Sequence, residues 1–183
     1  QLMANADRFL LEIFAVARAD IGFWGAAGTI VWALAALPQL IAVALYPSFS
    51  RQAEAGASAR RAGLLAGLGG VLSGAACAAV LWVLGDSIVR LAFGAEFGST
   101  TPLLQRLVFA LPGAFAMTLM GSIYAAWRRQ RQVLWILAGA LLLSVALNVM
   151  WIPAMGAMAP ATVTPWIYTL AAVAMALGLV VAE

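Results

Sequence analysis

The stretch "AGLLAGLGGVLSGAACAAVLWVLG", Ala62 to Gly85, holds no charged residue. As a helix rising 1.5 Å per residue it outruns the ~30 Å of hydrocarbon in a bilayer. A helix on the surface of a soluble bundle needs a polar stripe toward water, and none can be drawn here. A second uncharged run extends from Val133 to Val181. Water cannot solvate such faces, so a soluble helical bundle is excluded and lipid is the expected solvent.

The rest of the chain agrees. Of its 183 residues, 65 % are hydrophobic and 9 % charged, where soluble domains run near ~45–50 % and ~25 %. Six apolar segments can be marked: residues 2–17, 21–46, 62–89, 107–127, 133–152 and 166–182. The second and third exceed one bilayer thickness and are expected to tilt or bend. The fold class predicted is therefore an all-α membrane protein, a single transmembrane lobe of six helices. The chain opens inside one apolar segment and closes after another, and the expectation is a segment of a longer membrane protein.

The net charge of +3 rests on ten arginines and no lysine. In a membrane protein such bias reports topology, and no aromatic-plus-basic stretch suited to nucleic acid occurs. Arg51, Arg60 and Arg61 follow the second segment, and Arg128, Arg129 and Arg131 follow the fourth. The opposite loops carry only Arg18, Arg90 and Arg106. The positive-inside rule places the richer loops, and with them both ends of the chain, in the cytoplasm. Trp24, Tyr46, Trp127, Trp135, Trp151 and Trp166 lie near segment ends, at headgroup level.

Histidine is absent and Cys77 is the sole cysteine, which excludes a zinc site or a disulfide framework within the chain. With no histidine base, no close carboxylate pair inside a span and no Gly-rich phosphate loop, nothing nominates an enzyme, a metal or a cofactor.

The exception to the apolar pattern is "QLMANADRFLLEIF", which carries Asp7, Arg8 and Glu12. Each charge near a helix centre costs about 2.5–3.5 kcal/mol on insertion scales. Arg8 and Glu12 are four apart and able to pair. Asn5, Arg8 and Glu12 share a helical face, which is expected to look toward protein or water and to line a polar cavity. The plainer alternative is a structural ion pair. Gln39, Arg106 and Asn148 are further candidates for that lining, with helix-to-helix bonding as the alternative for Gln39 and Asn148 and interfacial snorkelling for Arg106. Asp86 and Arg90 read as an interfacial pair. Pro38 and Pro112 each remove a backbone donor and are expected to kink their helices. Gly63-x-x-x-Gly67 and Gly70-x-x-x-Gly74 offer close helix approach, or merely the common glycine content of membrane helices.

At this point the residues resemble a known family. "ADRFLLEIFAVARADIGFWGAAGTIVWALAALPQLIAVALYPSFSR" is similar to the first two helices of the second lobe of polysaccharide flippases of the O-antigen and capsule type. They belong to the multidrug/oligosaccharidyl-lipid/polysaccharide exporter superfamily. The pattern is carried by Asp7-Arg8, Gly22, Ala26-Ala27, Pro38, Pro47 and Ser50-Arg51. "RLAFGAEFGSTTPLLQRL" resembles the family's Phe-Gly turn and leucine-rich helix, and "ALNVMWIPAMG" its Asn…Ile-Pro…Gly turn. Trp24, Gly28 and "GAMAPAT" depart from the pattern.

The resemblance implies the C-terminal lobe of a two-lobe exporter in a bacterial cytoplasmic membrane. Its substrate would be a lipid-linked oligosaccharide, a precursor of polysaccharide or lipopolysaccharide, and its partners membrane lipid and the N-terminal lobe of the same protein. Arg8 would attract the pyrophosphate, with Asp7 and Glu12 tuning it or answering a coupling cation, proton or sodium. Rival expectations are a cation-coupled drug exporter of the related superfamily branch, a non-transporting membrane scaffold, and a membrane glycan-transfer enzyme whose chemistry lies outside this chain.

Overall fold

A computed structural model describes residues 2–181. Among them the chain forms eight α-helices: α1 (Leu2–Ile13), α2 (Arg18–Ala35), α3 (Leu37–Glu54), α4 (Ala59–Phe93), α5 (Thr100–Leu107), α6 (Ala110–Ala126), α7 (Gln130–Met155) and α8 (Met158–Val181). A 3-10 turn, Ala95–Ser99, joins α4 to α5, and no strand is present among the described residues. Four stretches are long and apolar enough to cross a membrane: Arg18–Glu54, Ala59–Phe93, Gln130–Met155 and Met158–Val181. A fifth is added if Ala95–Leu107 and Ala110–Ala126, bent by 53° from one another, form one span. The surface is consistent with a multi-pass membrane protein: Leu68, Val83, Leu91 and Leu142 are among many large apolar side chains left exposed.

The segment predicted over residues 2–17 stops earlier, at Ile13. Twelve helical residues rise only ~18 Å, well short of a bilayer. Ala15 adopts φ 51°, and the amides of Val16 and Ala15 return to the carbonyls of Leu11 (3.1 Å) and Glu12 (3.1 Å). That double return is a Schellman ending, built on alanine where glycine is usual. The segment predicted over 21–46 is two helices. Ala36 breaks them, and Pro38 follows in the first turn of α3, where it cannot bond back to Leu34. The segment predicted over 107–127 is α6, and a separate short helix, α5, turns into it at Val108–Phe109, ahead of Pro112. The last segment, predicted from 166, starts at Met158; its predicted end, residue 182, lies outside the described residues.

α4 is the axle. Ser58 caps it, accepting from the Arg61 amide at 3.3 Å, and Gly94 at φ 98° ends it after 35 residues. Its glycines make contact possible rather than merely populating a membrane helix. A Cβ on Gly70 would stand 2.6 Å from the Ala116 backbone, and one on Gly74 2.6 Å from the Leu111 carbonyl. Glycine there allows α6 to lie directly against α4. α6 in turn meets α8, where the Tyr124 hydroxyl, fully buried, donates to the Met175 carbonyl at 2.6 Å.

Candidate functional site

α1 is placed by its apolar residues. Leu10 and Leu11 are buried in the core, and Asp7, three and four residues earlier, lies on the same side of the helix. The carboxylate is therefore carried into the bundle, where it is 1 % exposed. There it meets α7 and α8. The Asn148 amide Nδ2 donates to Asp7 Oδ1 at 3.0 Å, and the Thr164 hydroxyl donates to Oδ2 at 3.1 Å. The same Nδ2 reaches Ser144 Oγ at 3.4 Å. All four residues are buried. Among the described residues the Asn148 Oδ1 has no hydrogen-bond partner.

In this oxygen-rich knot no arginine pairs with the carboxylate among the described residues. The nearest arginine in sequence, Arg8, points away and pairs with Glu12, Nε to Oε1 at 3.2 Å. A bare carboxylate in an apolar interior is costly unless positive charge joins it. A proton on the carboxyl supplies that charge. So does a small hard cation, for which carboxylate, hydroxyl and amide oxygens are suitable donors. The orphaned Asn148 oxygen is an acceptor such an ion or a hydroxyl would use. Asp7 is the carboxylate any such ion would meet here, and among the described residues no three His, Cys, Asp or Glu side chains gather.

The structure divides the other candidates. Arg8 and Glu12 lie on the side of α1 turned away from the bundle, with side chains 69 % and 52 % exposed. Together with Arg18 and Gly22 they edge an open recess of about 880 Å³. Asn5, on the same helix, lines a different recess of about 590 Å³ with Gln39, Trp32, Thr118 and Tyr168. That recess continues past Gln39 and Thr118 toward Tyr46 and Ser122, giving one polar-edged cleft along α3 and α6. Arg106 is remote from both: it donates to Thr162 at 3.0 Å beside Pro112. Asp7 and Asn148 are thus brought together from 141 positions apart, and Asn5 and Gln39 share a cleft, while Arg8, Glu12 and Arg106 join neither group. Asp86 accepts from Arg90 at 2.8 Å and from Thr101 at 3.1 Å.

Comparison with family models, curated proteins and solved structures yields no match for the chain.

Thr164, Ser144 and Tyr168 are the residues that sequence reading passed over. A signal existed. Ser144 and Asn148 are four apart within an uncharged run, as are Thr164 and Tyr168, and polar residues at helical spacing in such runs seek common partners. Hydroxyls that merely bond their own helix, as Thr29 does to the Gly25 carbonyl at 2.9 Å, look the same in sequence.

Proposed function

We propose that the chain is one lobe of a flippase that moves a lipid-linked oligosaccharide across a membrane by alternating access, a second lobe facing it across an aqueous vestibule. The observation that carries the reading is the buried carboxylate of Asp7, held by the Asn148 amide and the Thr164 hydroxyl inside a bundle with an apolar exterior. Intramembrane ionisable groups are costly and mark ion or substrate paths. The resemblance of "ADRFLLEIF" and the following helices to polysaccharide flippases supports the same assignment.

The division of α1 suggests a division of labour. Asp7, facing inward, would take the coupling cation, proton or sodium. Arg8 and Glu12, facing outward beside Arg18, would border the vestibule, where a guanidinium can meet the pyrophosphate of the substrate. Such a headgroup cannot cross hydrocarbon unaided. Rocking of one lobe against the other moves it while its lipid tail stays in the bilayer. The breaks at Ala36 and at Val108–Phe109, each followed by a proline, are the natural places for bending. On this reading neither the cleft nor the knot performs covalent chemistry.

The test is export of surface polysaccharide by the full-length protein carrying Arg8→Ala or Arg8→Lys. Loss in Arg8→Ala with partial retention in Arg8→Lys is expected, since lysine keeps the charge but not the fork. Normal export with both changes would remove Arg8 as a headgroup contact. Ion-dependent dye efflux, with no build-up of lipid-linked sugar in a deletion strain, would instead favour the drug-exporter alternative.

A further inference from the structure

A second site lies on another face of the bundle and is independent of the transport reading. Arg106 stands at the end of α5, beside the bend into α6. Its guanidinium donates to Thr162 Oγ1 at 3.0 Å, and that hydroxyl donates on to the Met158 carbonyl at 2.9 Å. Only one of the five N–H groups of an arginine is used, and among the described residues no carboxylate pairs with it. Phe109 and Trp166, both more than half exposed, stand beside it.

From Arg106 an apolar groove runs along the seam of α6 and α8. Its upper part, about 460 Å³, is lined by Phe109, Pro112, Pro165 and Trp166. Its lower part, about 290 Å³, is lined by Leu68, Val71, Met120 and Val173. The two parts share Pro112 and Thr169 and so form one channel. On α8, Thr162, Trp166, Thr169, Val173 and Ala176 recur at spacings of three and four, a single stripe along one side of the helix. The Thr164–Tyr168 stripe, which serves the Asp7 knot and the other cleft, lies on a different side. From Thr162 to Ala176 the stripe measures roughly 20 Å, and one leaflet of hydrocarbon is roughly 15 Å deep.

We infer that this groove holds one acyl chain of an anionic glycerophospholipid, with its phosphate on Arg106. The groove is apolar along its length, cationic at one end only, and long enough for a single-leaflet chain below a phosphate at Arg106, so charge and dimension select the same occupant. Thr162 fixes the guanidinium, and the Trp166 indole lies at the level of the headgroup, where such rings settle.

The test is photo-crosslinking of the full chain, in nanodiscs, with phosphatidylglycerol carrying a diazirine on one acyl chain, compared with phosphatidylcholine of the same chains. Labelled peptides are mapped by mass spectrometry. Phosphatidylglycerol is expected to label the 109–120 and 162–176 peptides ~5-fold more than phosphatidylcholine, the scale of one arginine near a membrane surface. Arg106→Gln should abolish the preference. Thr169→Trp, which fills the waist of the groove, should lower labelling there by both lipids while the α7 peptides label as before. Equal labelling by the two lipids, a preference that survives Arg106→Gln, or labelling spread evenly over the bundle would each overturn the site. Circular dichroism of both variants separates loss of the groove from loss of fold: a variant that unfolds is replaced by Arg106→Met, which removes the charge but keeps an apolar stem, or by Thr169→Leu, which must then weaken the preference or the labelling.

Discussion

Replacing Thr164 by valine removes one hydroxyl and little volume, and it isolates the bond on which the Asp7 knot depends. Each carboxylate oxygen of Asp7 has one side-chain donor: Asn148 for Oδ1 at 3.0 Å and Thr164 for Oδ2 at 3.1 Å. With the hydroxyl gone, Oδ2 sits without that donor in a site 1 % exposed. An average interhelical hydrogen bond in a membrane protein is worth only about 0.6 kcal/mol, with a maximum near 1.7. Bonds to a charged group run about 1.5–3 kcal/mol in soluble proteins. The two ranges meet near the membrane maximum, so Thr164→Val is expected to destabilise by about 1.5 kcal/mol. The assay is reversible unfolding of the full chain in mixed micelles by rising dodecyl sulfate, followed by circular dichroism. A cycle of Asp7→Ala, Thr164→Val and the double variant should give a coupling of about 1–1.5 kcal/mol. Thr29→Val, which removes a hydroxyl bonded only within its own helix, should change stability by less than about 0.5 kcal/mol. A coupling between Asp7 and Thr164 below about 0.3 kcal/mol, inside the error of additivity, would refute the knot as an energetic unit.

Other consequences are equally direct. Ala15 and Arg128 hold left-handed conformations, at φ 51° and 57°, so Ala15→Gly and Arg128→Gly should each stabilise by about 1 kcal/mol in the same unfolding assay. Gly74→Val would drive side-chain atoms into the Leu111 carbonyl and Pro112 and should cost about 2–3 kcal/mol or more by overpacking. On the open side of α4, where a Cβ on Gly69 meets nothing within 4 Å, Gly69→Ala should be neutral or stabilising by up to about 1 kcal/mol.

The helical membrane character was legible because its signal is local: the uncharged runs from Ala62 and from Val133 leave no other solvent. The helices break at Ala36 and at Val108–Phe109, just before Pro38 and Pro112, where a missing amide acts on its own helix. The ending at Ala15 was not, because alanine carries no turn signal and the Schellman geometry is imposed by packing Leu11 and Val16 into the core. Arg8 and Glu12 pair at a spacing any helix supplies. Asp7 and Asn148 meet only through the packing of α1 against α7, and a single sequence does not state which distant polar residues will share a site. Position on the helix wheel separated Asp7 from Asn5, Arg8 and Glu12, but which side faced the bundle depended on the burial of Leu10 and Leu11.

The central claim is that the outer stripe of α1 borders water inside the membrane. Its most direct measurement is labelling of single cysteines in the full-length protein, in a Cys77→Ala background, with a membrane-impermeant maleimide applied to each side in turn. The account predicts that Arg8→Cys and Glu12→Cys react, from one side or the other as the vestibule alternates, while Leu68→Cys and Leu142→Cys remain unlabelled. If positions 8 and 12 resist the impermeant reagent and yield only to a lipid-soluble one, that stripe is bathed in acyl chains and the translocation account is contradicted.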